Sequence, residues 1–194
     1  MKRIIHVLLL AFISSSIYSQ TSSGVWNGKT STYTNSTHNI TWQLIEDWDW
    51  VGRPILEKTT LLKVRNDDTH IMAKLGATTM GKFDGDIWEY VSMFESDDAT
   101  DLSKQLAIHN GMEYLGTKAI KSQLCGIHAV KTRTDMKKYY PEHEQTVHSV
   151  EITYSFYRNG YLYTVSIIVL SCLEEEITDF DRIATKLFNG FKIK

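Results

Sequence analysis

Two histidines stand five positions apart in Pro141-Glu142-His143-Glu144-Gln145-Thr146-Val147-His148, with carboxylates beside the first. Imidazole and carboxylate are the groups that hold zinc and let it activate water for hydrolysis. A zinc-binding helix needs its histidines four apart with the glutamate between them. At a spacing of five the rings leave a common helical face. His143, His148 and Glu144 are therefore metal candidates for a hydrolase, set against the plainer reading of a solvated, Pro-led loop. His128 would be the third ligand, but the strand pairing described below puts it near the other end of the neighbouring strand.

Cys125 and His128 are near enough in sequence to be a nucleophile and its base. An odd separation on a strand sends them to opposite faces, which favours a core thiol and a satisfied sheet histidine. Asp84-Gly85-Asp86 and Asp97-Asp98…Asp101 lack the spacing of a calcium loop. The second group, like Glu174-Glu175-Glu176, suits the start of a helix, where negative charge meets free N–H groups. The sequence contains no Gly-x-Ser-x-Gly elbow and no glycine-rich phosphate loop. No catalytic set and no cofactor emerge from these residues.

Trp42, Trp48 and Trp50 concentrate aromatic area next to charge. In an extended chain Trp48 and Trp50 share one face, with Asp47 and Asp49 on the other. As partner-binding candidates they form a platform for a sugar or a protein. As core residues they fill space beneath a sheet edge. Alanine at position 50 separates the two readings: lost binding with an unchanged melting temperature, or a large loss of stability.

These groups need a scaffold, and the strongest scaffold signal is Ser149–Leu170. Asn159-Gly160 is a two-residue hairpin turn flanked by alternating apolar residues. That turn pairs Phe156 with Tyr163, Tyr154 with Val165, Ile152 with Ile167 and Val150 with Val169 on one apolar face. The other face carries Ser155 with Thr164, Thr153 with Ser166 and Glu151 with Ile168. A slip of one residue would mix the faces, so the register is well specified.

Around this hairpin the chain reads as α+β. Ile40–Ile45, Thr59–Val64 and Thr69–Thr78 are expected strands, the last two joined by the turn Asn66-Asp67-Asp68. Asp86–Glu95 has Ile87, Tyr90, Val91 and Phe94 at helical spacing, and a second helix is expected over about 100–110. Ile120–Thr134 reads as one strand, and Asp135–Val147 as a loop. A Ser171-x-x-Glu174 capping box opens a last helix. Its stripe of Ile177, Phe180, Ile183, Ala184, Leu187 and Phe188 would cover the apolar face of the hairpin, and Gly190 would close it.

The 194 residues divide, on this reading, into a targeting segment, a polar linker or weak first strand over 21–39, and a single domain over 40–194. Lys2 and Arg3 precede the apolar run Ile4–Ile13, which is too short to span a bilayer. Small polar residues follow up to Gln20, as in a secretory signal peptide. An exported protein, periplasmic or extracellular, is the expectation, and not an integral membrane protein. Without Lys2 and Arg3, 19 basic residues face 23 acidic ones, a net charge of −4 with histidine neutral. That balance argues against nucleic acid as a partner. Cys125 and Cys172 fall at opposite ends of the sheet, so two free, mostly buried thiols are expected rather than a disulfide.

The order of elements also resembles a known family. A Trp-containing early strand is followed by strands and a helix, then Gly126-Ile127-His128-Ala129. After it come Tyr154-x-Phe156…Asn159-Gly160-x-x-Tyr163-x-Val165 and a closing helix ending at Phe188 and Phe191. This is similar to the PsbP-like superfamily of small α/β/α sandwiches. The resemblance implies a mainly antiparallel sheet with the C-terminal helix packed on it, and no catalytic set. It also implies an exported, non-enzymatic binding or assembly module of the envelope or secretion machinery, acting on a protein or small envelope ligand. A metal-dependent hydrolase built on His143 and His148, and an immunity or accessory protein of a secretion system, are the alternatives.

Overall fold

A computed structural model describes residues 24–53, 55 and 57–194; the expected signal peptide lies outside the described residues. The elements run β1 (Val25–Asn27), β2 (Thr32–Asn35), β3 (Ile40–Gln43), β4 (Trp50–Gly52), β5 (Thr60–Asn66) and β6 (Ile71–Thr79). A 3-10 segment (Ile87–Glu95) and helix α1 (Asp97–His109) follow. Then come β7 (Glu113–Leu124), β8 (Ile127–Tyr140), a short turn of 3-10 helix (Pro141–His143), β9 (Gln145–Arg158) and β10 (Tyr161–Ser171). Helix α2 (Glu174–Asn189) and β11 (Phe191–Ile193) complete the described chain.

The Asn159-Gly160 hairpin forms in the expected register, with Phe156 opposite Tyr163, Ile152 opposite Ile167 and Val150 opposite Val169. Both turn residues have positive φ, 51° and 83°, as this tightest of hairpin turns requires. The hairpin sits inside a seven-stranded antiparallel sheet ordered β4-β5-β6-β10-β9-β8-β7. Along β5, β6, β9 and β10 the residues on one face are apolar, and Ala73, Leu75, Ile152, Phe156, Val165 and Ile167 are at 0% exposure. Helix α2 covers that face with Phe180, Ala184, Leu187 and Phe188, and Phe188 meets Tyr154 edge-on at 4.7 Å.

A second sheet, β1-β2-β3-β11, shares this core. Two of its short strands, β1 and β2, fall in the stretch read as a polar linker or weak first strand: Tyr33 is buried and Trp26 pairs with it across β1 and β2. The inward positions there mix a large ring with small polar residues, since Ser31 and Asn35 are buried along with Tyr33. Trp42 is fully buried, and its indole N–H donates to the Leu187 carbonyl at 2.9 Å. On the other face of the large sheet, the 3-10 segment packs Ile87 against Ala119, Val130 and Leu162. The molecule is thus α+β, with helical layers on both faces of a mainly antiparallel sheet.

Several expectations need correction. Ile120–Thr134 is not one strand: Cys125-Gly126 turns the chain, with positive φ at both residues, and β7 and β8 pair over its length. The expected loop 135–147 is mostly strand. Asp135 is tolerated on β8 because Arg133 holds its carboxylate, and the chain reverses only at Pro141–Glu144. The first helical stretch is 3-10, with Ile87, Tyr90 and Met93 three apart along it. The capping box does not form as expected. Leu173 is the residue at the helix N-cap, and Ser171 instead bonds the Glu176 carboxylate and accepts from the Leu173 N–H at 2.9 Å. Gly190 does close the helix, as its C-cap, with a helical φ of −78°. Its need is for space: a Cβ there would lie 1.8 Å from the Gln43 carbonyl oxygen.

Candidate functional site

Asp86 and Trp88 meet the distant His128 where the 3-10 segment crosses the sheet. Asp86 is the N-cap of that segment: its carboxylate accepts the Trp88 backbone N–H at 3.0 Å. Its second oxygen takes the Nδ1 of His128, which stands on β8 just past the Cys125-Gly126 turn. The Trp88 ring stacks on the His128 imidazole, with centroids 3.5 Å apart and planes within 10°. The Trp88 indole N–H in turn points into the β7–β8 ladder, 2.8 Å from the Ser122 carbonyl and 3.0 Å from that of Ala129.

The imidazole is therefore fixed by a charge on one nitrogen and an indole on one face. Asp86 is held below the usual carboxylate range, first by the Trp88 backbone N–H and then by His128. Among the described residues Nε2 has no hydrogen-bond partner, and the His128 side chain keeps 43% of its exposure.

Phe83, Gly85, Asp86, Ile87, Ile127, His128 and Tyr157 line a solvent-open cleft of about 280 Å³ around this imidazole. Phe83 lies against Tyr157 at 4.9 Å and Tyr90 at 5.3 Å between ring centres, which gives the cleft an aromatic wall. Tyr157 is the one hydroxyl in the lining, and it is engaged: it donates to the Gly81 carbonyl and accepts from the Phe83 N–H. The cleft offers one oriented imidazole nitrogen, one carboxylate and apolar walls. It can grip a side chain or a small ring through stacking and one directed hydrogen bond.

The residues singled out from sequence lie elsewhere. His143 is on the exposed tip between β8 and β9, and Glu144 ends that turn with φ 50°. His148 lies within β9, opposite Lys137 on one side and Ser171 on the other. Glu144 and His148 line an open depression of about 800 Å³ with Cys172 and Lys137, but His143 does not. Among the described residues no group of three or more His, Cys, Asp or Glu could hold a metal ion. His128 stands at the opposite end of β8, as the pairing requires.

Trp50 is 4% exposed, with its indole N–H on the Ile45 carbonyl at 3.0 Å. Trp48 is half-buried and leans on it at 5.7 Å. The Trp50 ring belongs to the core and offers no face to a partner. Cys125 and Cys172 are free, but both are exposed rather than buried, because one sits in a turn and the other follows the last residue of β10. From sequence, His128 groups with Cys125 and the two loop histidines, and Asp86 with Asp84, but nothing there joins Asp86 to His128. The one local hint is the Asp86-x-Trp88 spacing of a cap; the distant histidine leaves no mark in sequence.

The sequence matches no protein-family model and no curated protein. Solved structures do match. Cyanobacterial PsbP from Synechocystis sp. PCC 6803 is 10% identical, with a TM-score of 0.48 over 94% of this chain and 99% of that one. LpqN of Mycobacterium tuberculosis, described as involved in cell envelope biogenesis, is 14% identical, with a TM-score of 0.47 over 80% and 83%. The Ran-binding protein Mog1p of Saccharomyces cerevisiae is 13% identical, with a TM-score of 0.41 over 81% and 92%.

One of these neighbours is a PsbP. At these identities and TM-scores the likeness decides neither partner nor activity. No helix among the described residues is long and apolar enough to cross a membrane.

Proposed function

We propose that this chain is an exported, non-catalytic binding module that takes a side chain of a protein partner into the His128 cleft. The observation that carries the reading is the imidazole itself, fixed by Asp86 and Trp88, with Nε2 unpartnered among the described residues. Orienting a ring this firmly at an exposed position serves recognition, because a preorganised donor or acceptor loses little entropy on binding. The cleft, at about 280 Å³, falls below the usual range for small-molecule pockets and suits a single anchoring side chain. Its acid–base pair has no free nucleophile among the lining residues, which favours binding over hydrolysis. Export rests on the basic start and apolar run before Gln20.

Photo-crosslinking in the source cells tests the binding reading. A photoreactive residue at Phe83 is expected to trap one discrete partner, and His128→Ala to abolish the product. The same probe at Glu175, on the exposed start of α2, serves as the control. Equal labelling from both positions, or a product indifferent to His128, would sink the reading. The mass of the protein recovered outside the cytoplasm tests export separately, with cleavage expected near Gln20.

A further inference from the structure

Strand β7 ends the large sheet, and among the described residues nothing pairs with its outer side. One group on that side is occupied. The Ala119 N–H donates to the carboxylate of Glu95, the last residue of the 3-10 segment, at 2.6 Å. In an antiparallel ladder the outward groups alternate, so the N–H and C=O of Thr117, Lys121 and Gln123 lie on the same open side as those of Ala119. Ile120, between them, is 56% exposed and belongs to the opposite face from Ala119. An edge this long is a template for another strand.

The geometry points to a second copy of this chain as the strand that docks on β7, with Glu95 as the latch that holds the edge shut. Two β7 strands laid antiparallel about Ile120 are self-complementary, as a two-fold axis demands. Ala119 then faces Lys121 of the second copy and Thr117 faces Gln123, and these are the residues whose backbone groups point outward. On the other face Ile120 meets Ile120, and Lys118 meets Ser122. No lysine opposes a lysine. The irregularity between Tyr114 and Gly116 ends the pairing stretch at one side, and the Cys125-Gly126 turn ends it at the other.

Pairing requires the carboxylate to leave the Ala119 N–H. Lys121 of the second copy arrives beside Ala119 on the face where the 3-10 segment lies, so the displaced Glu95 meets a cation. The exchange still favours the shut state. A charge-assisted bond to a backbone N–H is worth more than an exposed ion pair. Removing the carboxylate should therefore release the edge. No β7 residue lines the cleft, although the Ser122 carbonyl of β7 takes the Trp88 indole N–H.

Sedimentation over a concentration series tests it with the full chain, its Glu95→Ala variant and the double variant Glu95→Ala, Ile120→Lys. Glu95→Ala is expected to move the monomer–dimer midpoint roughly tenfold or more to lower concentration. Glu95→Gln, which keeps the packing and a neutral acceptor, is expected to fall between it and the parent, and it carries the test if the alanine variant unfolds. The double variant is expected to return to monomer. A Glu95 variant that folds but stays as monomeric as the parent overturns the proposal. So does a dimer that Ile120→Lys leaves intact, since its contact must then be elsewhere. A strand from an unrelated protein would bind the released edge without dimer formation, which also counts against a second copy.

Discussion

Trp50→Ala should cost about 3–5 kcal/mol in urea unfolding, the usual loss when a large buried ring leaves a cavity. Trp48→Ala should cost less, since that ring is only half-buried against Trp50. His38 carries a second prediction at this scale. Its Nδ1 shares a hydrogen bond of 2.8 Å with the Tyr163 hydroxyl, and its ring meets Tyr161 and Tyr163 edge-on. Burial lowers its pKa from 6.5 and raises that of Tyr163 to about 12. The unfolded chain therefore takes up the proton first. This stabilisation is complete above pH 6.5 and is lost as pH falls from there through the depressed value. Melting temperatures from about pH 8 to about pH 5 should fall more steeply for the parent than for His38→Gln. Residue types in sequence name possible donors, but which of them meet is a tertiary fact. His128 and Asp86 lie on different elements, so no local spacing could reveal them, whereas the two histidines near each other in sequence do not cooperate.

Turns decide what can be read at the scale of elements. Asn159-Gly160 announces itself, and with it the whole register of β9 and β10 follows, because only one pairing keeps both faces uniform. Cys125-Gly126 makes an equally tight reversal without the asparagine signature, so β7 and β8 merge into one expected strand and the thiol seems internal. The same blindness hides the reason for Gly190. The glycine ends the helix as read, but what demands glycine there is the passage of the Gln43 backbone, whose N–H donates to the Gly190 carbonyl at 3.0 Å. Gly190→Ala should accordingly cost several times the roughly 1 kcal/mol expected for a backbone-entropy change of either sign. Gly160→Ala, strained only by its positive φ, should cost on the order of 1 kcal/mol. Chemical denaturation of the two variants side by side checks the contrast.

Across the whole molecule the α+β class and the packing of the last helix were legible, since both follow from hydrophobic periodicity. Of the small second sheet, β3 was legible and a weak strand before it was one of the two readings offered, but the pairing with β11 was not. Its strands are three or four residues long, polar at alternate positions, and drawn from distant parts of the chain. Deleting residues 191–194 should dismantle it. Phe191 and Ile193 each bury a side chain worth about 1.5–3 kcal/mol, a large part of the 5–15 kcal/mol that holds a domain together. Limited proteolysis of the truncated chain should cut within 24–44 at protease levels the parent survives. The junction of β3 with β11 has a temporal consequence as well. Trp42 has Tyr33 beside it early, but its partners Phe191 and Leu187 arrive only when almost the entire described chain has been made. Throughout synthesis this nascent polypeptide carries a sticky, unfinished seam that escort proteins can hold, and its closure comes late rather than at the ribosome's first opportunity.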